Sequence, residues 1–261
     1  MNTNETPNQA LKESGNAAST SAPTAATTAV DPFDPASFKA AKISGEESGT
    51  KPDTTAGEKR VPIKLLVFDM GHVFVRFDWD KVCQGFCDRA NITRAAFKAV
   101  LAHVGSLGYE SGRCTTENFL REMNGKMNTA LTVEEFTALW NATFEEDLEM
   151  AALLGELGKK YPLYLLSNTN EVHYAHLEGS FNVSRHFKES LLSFQIGAAK
   201  PHRAAYQVIL DRSKLQPEEI LFVDDLAVNT TAARDTVGLR TIQFVGIEDL
   251  KQRLREQEVT W

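Results

Sequence analysis

The residues able to do chemistry in this sequence stand where apolar runs stop. Residues 61–68 end on Asp69, residues 161–166 end on Ser167 and Asn168, and residues 220–223 end on Asp224 and Asp225. A leucine-rich and β-branched run that breaks off at one polar side chain is how a buried parallel strand delivers a functional group to the rim of a sheet. Lys200, between Gly197 and Pro201 in a turn-rich stretch, adds a cation. Carboxylates gathered at one rim do not all stay ionised without a counter-charge, so Asp69, Asp224 and Asp225 together imply a hard metal bound through oxygen, with Mg²⁺ the first choice. Magnesium in turn favours substrates that bring phosphate.

The elements needed to assemble these groups are legible around them. The three runs, with further short strands at 191–194 and 241–245, alternate with helical stretches at 203–210 and 228–237 and a charged helix from Glu248, and Gly238 stands where a helix-ending glycine belongs. Such alternation predicts an α/β fold with a doubly wound parallel sheet, whose site forms outside the carboxyl ends of the strands. Between the first two runs the pattern is helical: a stretch capped by Asp78 or Asp80 that carries Val82, Phe86, Cys83 and Cys87, then 94–104, 116–123, 133–140 and 148–157, with polar connections such as 124–126 and no strand. The expected division is therefore a low-complexity disordered tail at 1–60, a core made of 61–77 and 158–261, and a helical cap at 78–157.

Composition narrows the function classes. The 261 residues carry a net charge of −7, which gives no electrostatic footprint for nucleic acid or an anionic membrane. No run approaches the ~18 apolar residues of a membrane span. The three cysteines are too few for a disulfide framework and no secretory signal is legible, so a cytoplasmic protein is expected.

The residues also carry a resemblance. Phe68-Asp69-Met70-Gly71, Leu166-Ser167-Asn168-Thr169, Lys200-Pro201 and Phe222-Val223-Asp224-Asp225 follow the order and spacing of the haloacid dehalogenase-like (HAD) superfamily, and residues 61–250 resemble it. Each motif alone is weak, whereas all of them in order are specific. Within the superfamily the chain is most similar to bacterial sugar-phosphate phosphatases of the α-D-glucose-1-phosphate phosphatase type.

The resemblance implies a Rossmann-like core and a phosphatase acting on a small phosphate ester such as a hexose 1-phosphate. Asp69 would be the nucleophile that forms an aspartyl-phosphate. The Gly71 carbonyl and Asp225 would be Mg²⁺ ligands, with Asp224 a ligand or a support. Ser167 and the Asn168 amide would hold phosphate, Lys200 would offset negative charge, and Asn229 would buttress the acidic loop. The cap would exclude water and choose the leaving group.

One position departs from the pattern. Most phosphatases of this superfamily carry a second aspartate two residues after the nucleophile, as general acid and base, and this chain has Gly71 there. Either the leaving oxygen is acidic enough to need little help, as at an anomeric carbon, or His72 supplies the proton; a turn histidine facing away is the simpler account of His72. Carbon–halogen hydrolysis and a binding protein with weakened catalysis are the rival readings, and the paired acids at 224 and 225 argue against the first, which needs no metal. Elsewhere, His173 and His176 read as capping or surface residues. The stretch 108–113, with Tyr109, Glu110 and Arg113, is equally a solvated loop or one that reaches over substrate. Phe77 and Trp79 read as hinge packing, and the acidic run 145–147 as a helix start.

Overall fold

The computed structural model describes residues 61–261; the expectation for residues 1–60 falls outside them. The central strand β1 (Leu65–Phe68) is flanked by β4 (Leu163–Ser167) and β6 (Ile220–Asp224), with β5 (Glu189–Leu192) and β7 (Arg240–Gln243) outside them in the order β5-β4-β1-β6-β7. Every pairing in this sheet is parallel. Its side chains alternate between two packed faces: Leu66 and Phe68 join one apolar cluster, Leu65 and Val67 the other. Burial on both sides is why these strands read as unbroken apolar runs.

β1 begins at Leu65 rather than Val61; Pro62 has no N–H to give a ladder. The third strand lies earlier than expected. Ser193 to Ile196 turns helical because the Ser193 hydroxyl is held by the Thr169 backbone, accepting from its N–H at 2.9 Å and donating to its carbonyl at 3.0 Å.

The insert between β1 and β4 is built on its own cluster. Phe86, Phe97, Phe119, Phe136 and Trp140 meet in one buried core contributed by helices Trp79–Ala90, Arg94–Gly105, Thr116–Met127 and Val133–Trp140. Asp78 caps the first of them, accepting from Lys81 N–H at 3.1 Å. The helix from Thr116 runs through Asn124, Gly125 and Lys126 where a connection was expected: Met127 is buried, and the Asn124 amide holds both the N–H (3.0 Å) and the carbonyl (2.9 Å) of Leu131.

A strand does interrupt the insert, contrary to the helical reading. β2 (Val75–Arg76) and β3 (Glu145–Glu146) pair antiparallel where the chain leaves the core and returns, and two residues are too short to print a periodicity. The acidic run thus splits, Glu145 and Glu146 pairing in β3 while Asp147 caps the helix Leu148–Leu157 through Met150 N–H. That helix, assigned to the cap on sequence, buries Met150, Leu153, Leu154 and Leu157 in the sheet's own cluster. No helix among the described residues is long and apolar enough to cross a membrane.

Candidate active site

Asp69, Ser167 and Asp224 emerge at the carboxyl ends of the adjacent strands β1, β4 and β6, because the register pairs Phe68 with Leu165 on one side and Val223 on the other. Asp69 N–H donates to the Val223 carbonyl at 2.9 Å, which fixes the carboxylate over the sheet edge. Lys200 reaches in from the loop before helix Arg203–Ser213 and bridges two acids, with Nζ 2.7 Å from Asp69 Oδ1 and 2.6 Å from Asp224 Oδ2. All three residues are buried.

Asp224 has its oxygens fully committed. Besides Lys200, they accept from Leu226 N–H at 2.9 Å and from the Asn229 amide at 3.0 and 3.1 Å. A carboxylate so occupied positions its neighbours better than it binds a new ligand. Asp225, half-buried beside it, has no such set of donors and lines the cavity.

The electrostatics show a crowding of negative charge. Burial, with Asp224 adding to it against the pull of Lys200, pushes the Asp69 carboxyl up to about 6. Burial and the two neighbouring aspartates push Asp225 up to about 8. Burial opposes the charge of Lys200, but Asp224 and Asp69 outweigh it and hold the ammonium up at about 12. One lysine therefore does not offset three acids. Carboxylate oxygens of Asp69, Asp224 and Asp225 lie within 4.8 Å of one another, an all-oxygen set suited to a hard divalent cation.

The end of β4 brings a hydroxyl and an amide to the same cavity. Ser167 is buried at the tip of β4 and lines the cavity with Asn168. The Asn168 side chain has a further task that the sequence did not disclose: it accepts from Lys200 N–H at 2.8 Å and donates to the Lys200 carbonyl at 2.9 Å, clamping the lysine's backbone to the end of β4. Ser193, also missed, ties Thr169 down from just beyond the end of β5. Both contacts join residues far apart in sequence, so no local spacing announces them.

The turn after Asp69 brings Gly71 and His72 to the cavity wall. A Cβ at Gly71 would meet the Phe77 ring at 3.3 Å, so the space beside residue 71 is taken by Phe77 rather than by an acid. His72, at φ 53°, stacks on the same ring at 4.3 Å and lines the cavity instead of facing away.

The cavity, of about 180 Å³, is closed above by the insert: Trp79, Glu110, Trp140, Thr143 and Phe144 line it against Asp69, Ser167, Lys200 and Asp225. His173 lies at this junction, not at the surface. Its ring stacks on Trp140 at 5.4 Å and meets Phe144 edge-on at 5.0 Å, and burial pulls the imidazole down to about 3.

Where the chain crosses beside β2 and β3, the two ends of the insert are tied to each other, Asp78 N–H donating to Thr143 Oγ1 at 3.1 Å. Across the cavity, Glu171 at the start of helix Glu171–Phe181 accepts from both the N–H (3.3 Å) and the hydroxyl of Thr116, so a core carboxylate completes the first turn of a cap helix.

Known proteins resemble this chain over most of its described length. A D-ribitol-5-phosphate phosphatase of Bacteroides thetaiotaomicron is 30% identical over 202 residues, which span 74% of this chain and 97% of that protein. The crystal structure of a HAD family enzyme from the same organism superposes with a TM-score of 0.68 at 25% identity, covering 75% of this chain and 100% of that one. Another structure of that enzyme, in complex with magnesium and inorganic phosphate, gives a TM-score of 0.62 at 26% identity over 69% and 93% of the two chains. The model of the haloacid dehalogenase-like hydrolases matches residues 63–235, from just before β1 to beyond Asp225, and the chain belongs to that family.

Proposed function

We propose that this protein is a Mg²⁺-dependent phosphatase that hydrolyses a small phosphorylated sugar or polyol through a covalent intermediate on Asp69. The observation that carries the reading is the buried bridge of Lys200 between Asp69 and Asp224, with Asp225 alongside at the same strand ends. Asp69 attacks phosphorus, the bond to the ester oxygen breaks, and water later cleaves the acyl phosphate to release inorganic phosphate. Asp69, Asp225 and the Gly71 carbonyl would hold Mg²⁺, while Asp224 and Asn229 fix Lys200 and the loop. When bound, the ion neutralises the crowd of oxygens and orients the phosphoryl group. Ser167 and the amide of Asn168 hold the transferring oxygens, and Lys200 offsets the charge that builds there.

The relative named for ribitol 5-phosphate and the expected hexose 1-phosphate share one class, a monophosphate of a polyhydroxylated carbon chain. A phosphate-ester panel with and without Mg²⁺, run beside Asp69→Asn, tests the reading: turnover needs the metal, and the variant loses on the order of 10⁴-fold or more in kcat. Activity indifferent to a chelator, or appearing on haloacids and not on esters, overturns it. We place the domain division before the helix Leu148–Leu157, so that the cap spans about 78–143, and we place the protein in the cytoplasm on the strength of its free cysteines Cys83, Cys87 and Cys114.

A further inference from the structure

We propose that the groove between the helices Val133–Trp140 and Glu171–Phe181 is a second ligand site, for a neutral polyhydroxylated molecule such as a free sugar alcohol, and that its occupant acts on the active-site cavity through Phe144. The groove lies outside that cavity: among the described residues, Phe144 alone lines both. Binding there is independent of the phosphatase reading, whereas its effect on turnover rests on it.

Helical spacing builds the groove. Glu134, Thr137, Ala138 and Asn141 stand at i, i+3, i+4 and i+7, which is one face of the cap helix and the position that ends it. His176 and Ser180, four apart, come to the same groove from the core helix. Ala138 and Ala142 carry too little side chain to fill the gap, which measures about 720 Å³ and falls in the size range of small-molecule sites.

Asn141 sets this groove apart from a solvated seam. The residue is only 5% exposed, yet among the described residues neither the oxygen nor the nitrogen of its side-chain amide has a hydrogen-bond partner. A buried amide in that condition is costly, and it calls for a function. Asn124 of the same insert shows the ordinary arrangement, its amide bonded to Leu131 on both sides and to Thr129.

The chemistry of the lining selects the ligand. The Asn141 amide presents an acceptor beside a donor, the hydroxyls of Thr137 and Ser180 serve as either, and Glu134 accepts. Neighbouring hydroxyl groups, each donor and acceptor at once, match that set. Glu134 lines the groove and no Lys or Arg among the described residues does, which disfavours a phosphate or carboxylate and favours the free alcohol. Phe144 and Phe181 offer an apolar surface to its C–H bonds. Phe144 is also the link inward. Its ring lies 6.0 Å from that of His176 on the groove side, and 5.0 Å from His173 and 5.7 Å from Phe77 on the cavity side. Phe77 fills the space beside Gly71, so a displacement of Phe144 reaches the turn after Asp69 through closely packed rings.

The test records amide spectra of the full ¹⁵N-labelled chain with Mg²⁺ during titration with sorbitol and with hexane-1,6-diol, a chain of equal length with hydroxyls only at its ends. Sorbitol is expected to shift signals of residues 134–142 and 176–181 with a Kd of about 1 mM, and the diol to bind about tenfold more weakly or less. Asn141→Leu, close in size, relieves the unpaired amide; it is expected to melt no lower than the parent and to weaken sorbitol about tenfold. Ala138→Phe, at an exposed position, is expected to fill the groove and abolish the shifts. With the ester held fixed, sorbitol is expected to change kcat by about twofold or more in the parent and not in Asn141→Leu, where competition at the cavity would raise KM alone. Shifts confined to residues 69–79 and 167–169, equal binding of the two alcohols, or parent-like affinity in Ala138→Phe overturn the site, and Ala138→Phe decides alone should Asn141→Leu fail to fold. Binding at the groove with kcat unchanged overturns the link through Phe144. Phosphate release from no ester overturns the phosphatase reading instead, and the spectra still decide the site.

Discussion

Asn168 shows at the scale of one residue how much of the site lies outside its motifs. Its side chain makes both hydrogen bonds that hold the Lys200 backbone, so Asn168→Ala frees the lysine without removing it. The expected outcome is a kcat lower by about 10²-fold with KM for the ester within a few-fold, because a displaced charge costs transition-state positioning more than ground-state binding. Steady-state kinetics beside Asn168→Asp, which keeps the bond to Lys200 N–H, checks it. His72 offers a second residue-level prediction. If His72 gives the ester oxygen its proton, His72→Gln lowers kcat about 10²-fold on alkyl phosphates and little on aryl phosphates, whose leaving groups need no proton; equal effects on both would assign His72 to packing on Phe77. Asp69, Ser167, Lys200 and Asp225 were legible because each is a polar residue ending an apolar run or standing in a turn. The Asn168 clamp and the Ser193 tie were not, since their partners stand 32 and 24 residues further along the chain.

At the scale of the element, the junction between helix Glu171–Phe181 and the cap carries two predictions. Glu171 accepts from the N–H and hydroxyl of Thr116, and Glu171→Ala leaves the first turn of that cap helix without its cross-domain partner. Faster hydrogen exchange is expected at the amides of 116–119, with kcat/KM lower by about tenfold as the cap loosens; unchanged exchange would deny the contact any latching role. His173 sits two residues on. Its pKa lies near 3 in the folded chain against 6.5 unfolded, so the unfolded state binds the extra proton. The stabilising contribution is complete above pH 6.5 and is lost as pH falls toward 3, by about 2 kcal/mol at pH 5. His173→Phe keeps a ring against Trp140 and is expected to remove that part of the acid sensitivity, read as the difference in urea midpoint between pH 7 and pH 5. The strands of the sheet and the helices of the insert were readable from periodicity. β2 and β3 were not, because a two-residue pairing is decided by what lies across from it.

For the molecule as a whole, two apolar clusters on the faces of the sheet and a third inside the insert divide the work of folding. Phe119, fully buried and in ring contact with Tyr109, Phe136 and Trp140, is central to the third. Phe119→Ala is expected to destabilise that unit by about 3–5 kcal/mol. Because the acids and Lys200 rest on the sheet, binding of Mg²⁺ by calorimetry should survive conditions that melt the insert; simultaneous loss would mean a single cooperative unit. The alternation of strands and helices made the architecture legible, yet it did not reveal that the helix Leu148–Leu157 packs with the sheet, since an amphipathic stripe does not say which neighbour covers it.

The paired crossings at β2 and β3 carry a consequence of their own. The polypeptide departs and comes back through adjacent positions, Val75 opposite Glu146 and Asp78 beside Thr143, as the two stems of a hairpin would. Everything between them is a cassette: a short turn could bridge the stems without rerouting the sheet, and a different bundle could be spliced in without moving Asp69 or Lys200. The bundle between the stems can therefore vary in size and shape while the strand ends that carry Asp69 and Asp224 keep their register.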